Sequence, residues 1–194
     1  TTSTVRGVNN MSVRELTVRI RFLSPCLGNQ KMSDGSGRFC FQRNPNGDVI
    51  FLPSWHSANM RMAAQLLNRH QREVQDIHWD INVDGTLREN PWYKNYYRSP
   101  KSNKLRYSLH EAFHEGQIIG LNCIVPSTVK EEEFWRLMGK AGQYKGLSPW
   151  KPGEFGFYEV VSIRPRRSNR SSDEDAMLPE GTENVAAPNV NRAS

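Results

Sequence analysis

His110-Glu111-Ala112-Phe113-His114 has the spacing of H-E-x-x-H, in which two imidazoles one helical turn apart hold zinc and the glutamate is a general base. That chemistry needs a helix carrying both histidines. Here Glu115 and Gly116 follow at once, a strand-like run begins at Gln117, and the preceding Lys104-Leu105-Arg106-Tyr107-Ser108 is no apolar helix. The pentapeptide therefore reads as a turn or short helix before a strand, with His110 and Glu111 in local hydrogen bonds. No metal or cofactor is expected; a zinc hydrolase using His110, Glu111 and His114 stands only as an alternative. His56 follows Pro53-Ser54-Trp55 at a helix start, with Arg61 about one turn on. A histidine there is a candidate general base for RNA cleavage, although no second histidine lies close in sequence. Asp80 and Asp84 match no two-metal carboxylate motif.

Two segments carry binding rather than bond-breaking chemistry. Arg88–Tyr107 holds Arg88, Lys94, Arg98, Lys101, Lys104 and Arg106 against the single acid Glu89, interleaved with Trp92, Tyr93, Tyr96, Tyr97 and Tyr107. Cations neutralise phosphates and aromatic faces stack on unpaired bases, so this mixture suits a single strand; the bland alternative is a surface loop pinned by its aromatics. Gly139–Gly156 holds five glycines with Lys140, Lys145, Lys151, Tyr144 and Trp150. Glycine lets backbone approach a phosphate chain. The pattern lacks the Gly-Lys-Ser/Thr of a nucleotide-binding loop and precedes a strand.

These segments need a scaffold, and the hydrophobic period supplies one. Thr17–Phe22 alternates, Val18, Ile20 and Phe22 on one side and Arg19 and Arg21 on the other, which is a half-buried strand with a basic outer face. Arg38–Gln42 and Val49–Leu52, joined by Asn44-Pro45-Asn46-Gly47-Asp48, read as a β-hairpin. Ser54 is placed to cap a helix over about Trp55–Arg72. Val74–Val83 is strand-like, 88–107 is a looped insertion, and Gln117–Val125 is a strand. Ser127 or Thr128 is placed to cap a helix over about Val129–Ala141, with Glu131–Glu133 favourable at its positive end. Phe155–Ile163 is the last strand. Without insertions the order is strand, helix, strand, strand, helix, strand. The expected fold is α+β and ferredoxin-like (βαββαβ), an antiparallel sheet with an inserted hairpin and a basic-aromatic loop.

The chain has 194 residues, 37% of them hydrophobic, with a mean hydropathy of −0.70. That is one domain with polar extensions: an arm over 1–12, a body over 13–166, and a disordered polar, acidic tail over 167–194. The net charge is +6; residues 167–194 carry −2 and the body +8, a balance that points to a polyanion. No apolar run is long enough to span a bilayer and no secretory leader is visible, so a cytoplasmic protein with no membrane partner is expected. Cys26, Cys40 and Cys123 read as reduced, largely buried thiols.

The layout resembles the RAMP superfamily, the RNA-binding and RNA-processing proteins of CRISPR systems. The resemblance covers about 16–164. It rests on the first strand running into Ser24-Pro25-Cys26-Leu27-Gly28 and on Phe51–Arg61, similar to that family's approach to its first helix. It also rests on the glycine-rich stretch ending Gly153-Glu154-Phe155-Gly156-Phe157. Trp55-His56 replaces small residues of the pattern, and Asn59 stands where the family often has glycine. The resemblance implies RNA or single-strand binding, with the 142–153 loop, Arg61 and the basic insertion lining the path. For some members it implies metal-independent endoribonuclease activity at a histidine near the first helix, which here is His56. The chain is also similar to phage and mobile-element proteins that share a His-Glu-Ala-Phe segment, and a phage- or mobile-element origin fits. Arg19, Arg21, Lys94, Arg98, Lys101, Lys104, Lys145 and Lys151, with Arg61 and Gly146, are expected to meet phosphates. Trp92, Tyr96, Tyr97, Tyr144 and Trp150 are expected to offer stacking faces. The partner is a single-stranded nucleic acid, RNA before DNA, with self-association or a protein complex also compatible; a phage structural or host-inhibiting protein module is the non-enzymatic rival.

Overall fold

The computed structural model describes residues 12–148 and 155–166. The expected tail, and the expected arm apart from Ser12, lie outside them. In chain order the strands are β1 (Val13–Phe22), β2 (Cys26–Leu27), β3 (Gln30–Lys31), β4 (Phe39–Cys40), β5 (Gln42–Arg43) and β6 (Val49–Ile50). After helix α1 (Pro53–Leu66) come β7 (His78–Asp84), β8 (Trp92–Arg98), β9 (Leu105–Phe113) and β10 (Ile118–Pro126); helix α2 (Glu131–Tyr144) and β11 (Tyr158–Pro165) close the described fold. The molecule is an α+β protein.

β1 alternates as its sequence demands: Leu16, Val18, Ile20 and Phe22 are buried while Arg19 and Arg21 are exposed. It lies between β10 and β11, antiparallel to both, in a six-stranded sheet ordered β11-β1-β10-β7-β6-β5. The buried row continues through Ile119, Leu121, Cys123 and Val125 of β10. Against it pack Met60, Ala63 and Ala64 of α1 and Phe134, Leu137, Met138 and Ala141 of α2. Both helices cover the same sheet face; the other carries Arg19, Arg21, Asn122 and Glu159.

Several local expectations are corrected. Helix α1 begins at Pro53 with Leu52 as its cap and no side-chain cap bond, because proline already has a helical φ and lacks the N–H a cap would satisfy. It ends near Leu66 rather than Arg72: Asn68 takes the left-handed conformation (φ 52°) and terminates it. Helix α2 likewise starts from Lys130 without a side-chain cap. In β7, Trp79 and Val83 are buried but Ile81 is 40% exposed, because the β7–β10 register shifts between Leu121 and Cys123 and breaks the alternation.

The largest correction concerns the insertion. Residues 92–113 are not a loop but a long hairpin, β8 on β9, in unbroken register from Trp92↔Glu111 to Arg98↔Leu105. It belongs to a second, smaller sheet in which β9 also meets β2 and β4. Phe113 ties this sheet to the main core, its ring 5.3–6.0 Å from those of Phe22, Phe41 and Phe51.

Candidate nucleic-acid interface

Directly opposed residues of an antiparallel pair share a face, so the hairpin register sorts its side chains. Lys94, Tyr96 and Arg98 lie with Leu105, Tyr107 and Leu109 on one face; Tyr93, Asn95 and Tyr97 lie with Arg106, Ser108 and His110 on the other. Among the described residues, Leu105–Leu109 pair with β8 alone; Asn95 and Ser108 on the second face are buried, while the hairpin beyond them is largely exposed. Its tip is closed by Ser99 N–H donating to the Lys104 carbonyl (2.9 Å) and Asn103 N–H to the Ser99 carbonyl (2.8 Å), with Asn103 left-handed (φ 50°).

From Lys94 to Tyr107 the hairpin carries Lys94, Arg98, Lys101, Lys104 and Arg106 and no acidic residue. All five are exposed. So are Tyr96 (58%), Tyr107 (56%) and Tyr97 (40%). Tyr96 and Tyr107 are direct cross-strand partners with ring centroids 6.0 Å apart, and the Lys94 ammonium sits 5.0 Å from the Tyr107 centroid. An ammonium on an aromatic face leaves the opposite face for a base while keeping a cation beside its phosphate. Trp92 is half-buried at the hairpin root, under the Arg38 guanidinium at 5.2 Å. Arg106 and Tyr107 extend the set expected above.

The glycine-rich stretch meets the root of this hairpin. The Phe155 ring packs edge-on to Tyr93 at 5.9 Å, and Ser148 Oγ lies 3.3 Å from the N–H of Leu27, whose strand pairs with Ala112. Gly146 (φ 65°) and Gly156 (φ 73°) cross so closely that a Cβ on either would strike the other's segment below 3 Å. A buried relay holds the bend. Tyr158 Oη donates to Asn59 Oδ1 (2.8 Å), and Asn59 Nδ2 donates to the carbonyls of Gly146 (2.7 Å) and Ala141 (3.1 Å). Lys145 and Gly146 line a cavity of about 220 Å³ with Ser54, Trp55, Ala58, Leu147 and Ser148. Tyr144 is exposed, with Lys140 at 5.1 Å from its ring. Trp150 and Lys151 lie outside the described residues.

Other expected residues are not gathered here. Arg19 and Arg21 lie on the sheet face away from the helices, Arg21 paired with Glu159 at 2.7 Å. Arg61 is exposed on α1, its Nε donating to the Ser57 carbonyl. His56 is 2% exposed. Its ring stacks on Trp79 at 4.5 Å, and its Nε2 has no hydrogen-bond partner among the described residues. Burial holds its pKa down to about 3. The catalytic expectation is corrected on that ground: a neutral ring sealed in the core has no access to a phosphodiester.

The zinc alternative is corrected by backbone geometry. His110–Phe113 are strand, not helix, and four residues of strand span about 13 Å, far beyond two ligands of one ion. Glu111 also points to the opposite face from His110. Among the described residues no three acidic, histidine or cysteine groups gather around a common point, and no helix is long and apolar enough to cross a membrane.

No family model and no curated protein matches the sequence. Among solved structures, the fold is similar to that of a chain in a cryo-EM structure of the Type III-B Cmr-beta bound to cognate target RNA. The TM-score is 0.55 and the identity 10%, over 78% of this chain and 60% of that one. This chain thus matches about three-fifths of that protein's length, and the likeness is one of fold.

Proposed function

We propose that this is a RAMP-like protein of ferredoxin-like fold that binds single-stranded nucleic acid, RNA in preference to DNA, through the β8–β9 hairpin. The observation that carries the reading is the hairpin's outer half, with five exposed cations, no acid and three exposed tyrosines on one strand pair. The order β11-β1-β10-β7 with both helices on one face favours the ferredoxin-like assignment, and the RNA-bound assembly of similar fold favours RNA. We extend the path through Tyr144, Lys145 and Gly146; Trp150 and Lys151, outside the described residues, join it on their residue types alone.

Fluorescence anisotropy with labelled single-stranded RNA, single-stranded DNA and duplex tests this. The expected order is RNA, then DNA, then duplex. If all five hairpin cations meet phosphates, log Kobs falls against log salt with a slope near −3.5, at about 0.7 per contact on a single strand. Replacing the five by alanine removes most of that slope. Absence of binding to all three probes overturns the reading and leaves the basic surface to an acidic protein.

A further inference from the structure

The His-Glu pair that imitates a zinc motif sits where the hairpin leaves the body, and its bonds are unusually directional. His110 Nδ1 lies 2.7 Å from the Gly28 carbonyl and its Nε2 2.8 Å from Ser108 Oγ. A carbonyl only accepts, so Nδ1 carries the proton and Nε2 accepts from the serine hydroxyl. Phe39 stacks on the same ring at 4.7 Å and 8°. Glu111, pointing the other way, accepts the Phe41 N–H at Oε2 (2.9 Å) and pairs through Oε1 with Arg43. The Glu111 carbonyl accepts the Gly28 N–H at 2.8 Å. Gly28 is pressed so closely on the chain behind it that a Cβ would stand 2.4 Å from the Cys40 carbonyl carbon.

Two consecutive β9 residues therefore hold segments 26–31 and 39–43 from both faces of the strand, His110 meeting Gly28 and Phe39 and Glu111 meeting Phe41 and Arg43. Among the described residues, strand pairing otherwise attaches β9 to these segments through the single Phe39↔His110 step and two β2 pairs, beside the packing of Phe113 on Phe41. We infer that His110 and Glu111 are positioning residues that fix the direction in which the hairpin projects, so that its tyrosines and cations meet a strand pre-aligned. The inference rests on the proposed reading for its purpose: a hairpin already aimed loses less conformational freedom on binding. It also gives the pentapeptide a role that needs no metal.

The test separates aim from stability and from binding itself. In the full chain with Cys40→Ser, spin labels at Ser102→Cys on the hairpin tip and Gln65→Cys on α1 report the hairpin's direction by electron–electron distance measurement, while anisotropy with single-stranded RNA reports Kd. Glu111→Ala and His110→Gln are expected to broaden the distance distribution and to raise Kd about tenfold, with the salt slope unchanged because no phosphate contact is removed. His110→Asn, whose amide nitrogen falls near the Nδ1 position and can still donate to the Gly28 carbonyl, whereas that of glutamine falls near Nε2, is expected to restore a narrow distribution and a Kd within about threefold of wild type. Where Glu111→Ala fails to fold, Glu111→Gln, which keeps an acceptor for Phe41, and the histidine pair decide the question. A narrow distribution and unchanged Kd in folded Glu111→Ala and His110→Gln overturn the inference. A wild type that binds no strand overturns the proposed function instead, and the distance measurement still decides whether the pair aims the hairpin.

Discussion

At Tyr96 and Tyr107 the chain places two large rings directly across a strand pair and leaves both more than half exposed. In the proposed reading, each exposed ring beside a cation offers a flat face to an unpaired base. Alanine at either position is expected to weaken single-strand binding by about 1–3 kcal/mol, and phenylalanine to leave it nearly intact, because stacking uses the ring rather than the hydroxyl. Equilibrium titration of the four variants checks this. An equal loss for Tyr96→Phe and Tyr96→Ala would assign the residue to hydrogen bonding instead.

Among the elements, α2 shows how one helix both builds the core and shapes the interface. Its Gly142 lies against β11, where a Cβ would come 2.2 Å from the Tyr158 carbonyl oxygen, whereas Gly139, three residues earlier, has nothing within 4 Å of its would-be Cβ. The two alanine substitutions should therefore move stability in opposite directions. Gly142→Ala is expected to destabilise by about 1–3 kcal/mol through overpacking, and to loosen the Asn59-anchored bend that follows. Gly139→Ala is expected to stabilise by about 0.5–1 kcal/mol through helix propensity. Denaturant midpoints read both; a stabilised Gly142→Ala would mean that α2 and β11 do not pack this closely.

For the whole molecule, the buried His56 sets an acid limit on stability. Its folded pKa is held near 3 by burial, against an ordinary value of 6.5, so between those values the unfolded chain binds a proton that the native chain does not. The contribution of His56 is expected to be fully present only above about pH 6.5 and to be lost as the pH drops toward 3, by up to about 1.4 kcal/mol per pH unit. His110, also lowered by burial, acts in the same direction. His56→Phe replaces an unpartnered nitrogen with carbon in an aromatic stack. It is expected to flatten the acid limb of thermal unfolding between pH 4 and 7 while leaving nucleic-acid affinity unchanged. An unaltered limb would place the acid sensitivity elsewhere.

What was legible in the residues was local. The period-two rows of β1 and β10, the helix of Phe134, Leu137 and Met138, and the concentration of cations and tyrosines between Lys94 and Tyr107 are all properties of neighbours in sequence, where backbone geometry alone dictates which side chains share a face. The start of α1 was misjudged because Pro53 and Ser54 both satisfy helix-start chemistry. The pentapeptide at 110–114 was misjudged because its fate as strand depends on Phe113 entering a cluster of three distant phenylalanines. Only the tertiary structure turned 92–113 into a hairpin, brought Phe155 to Tyr93 across more than sixty residues of chain, and closed His56 into the core. Those outcomes follow from which apolar surfaces meet first and most fully, a competition among remote segments that no spacing within one segment encodes.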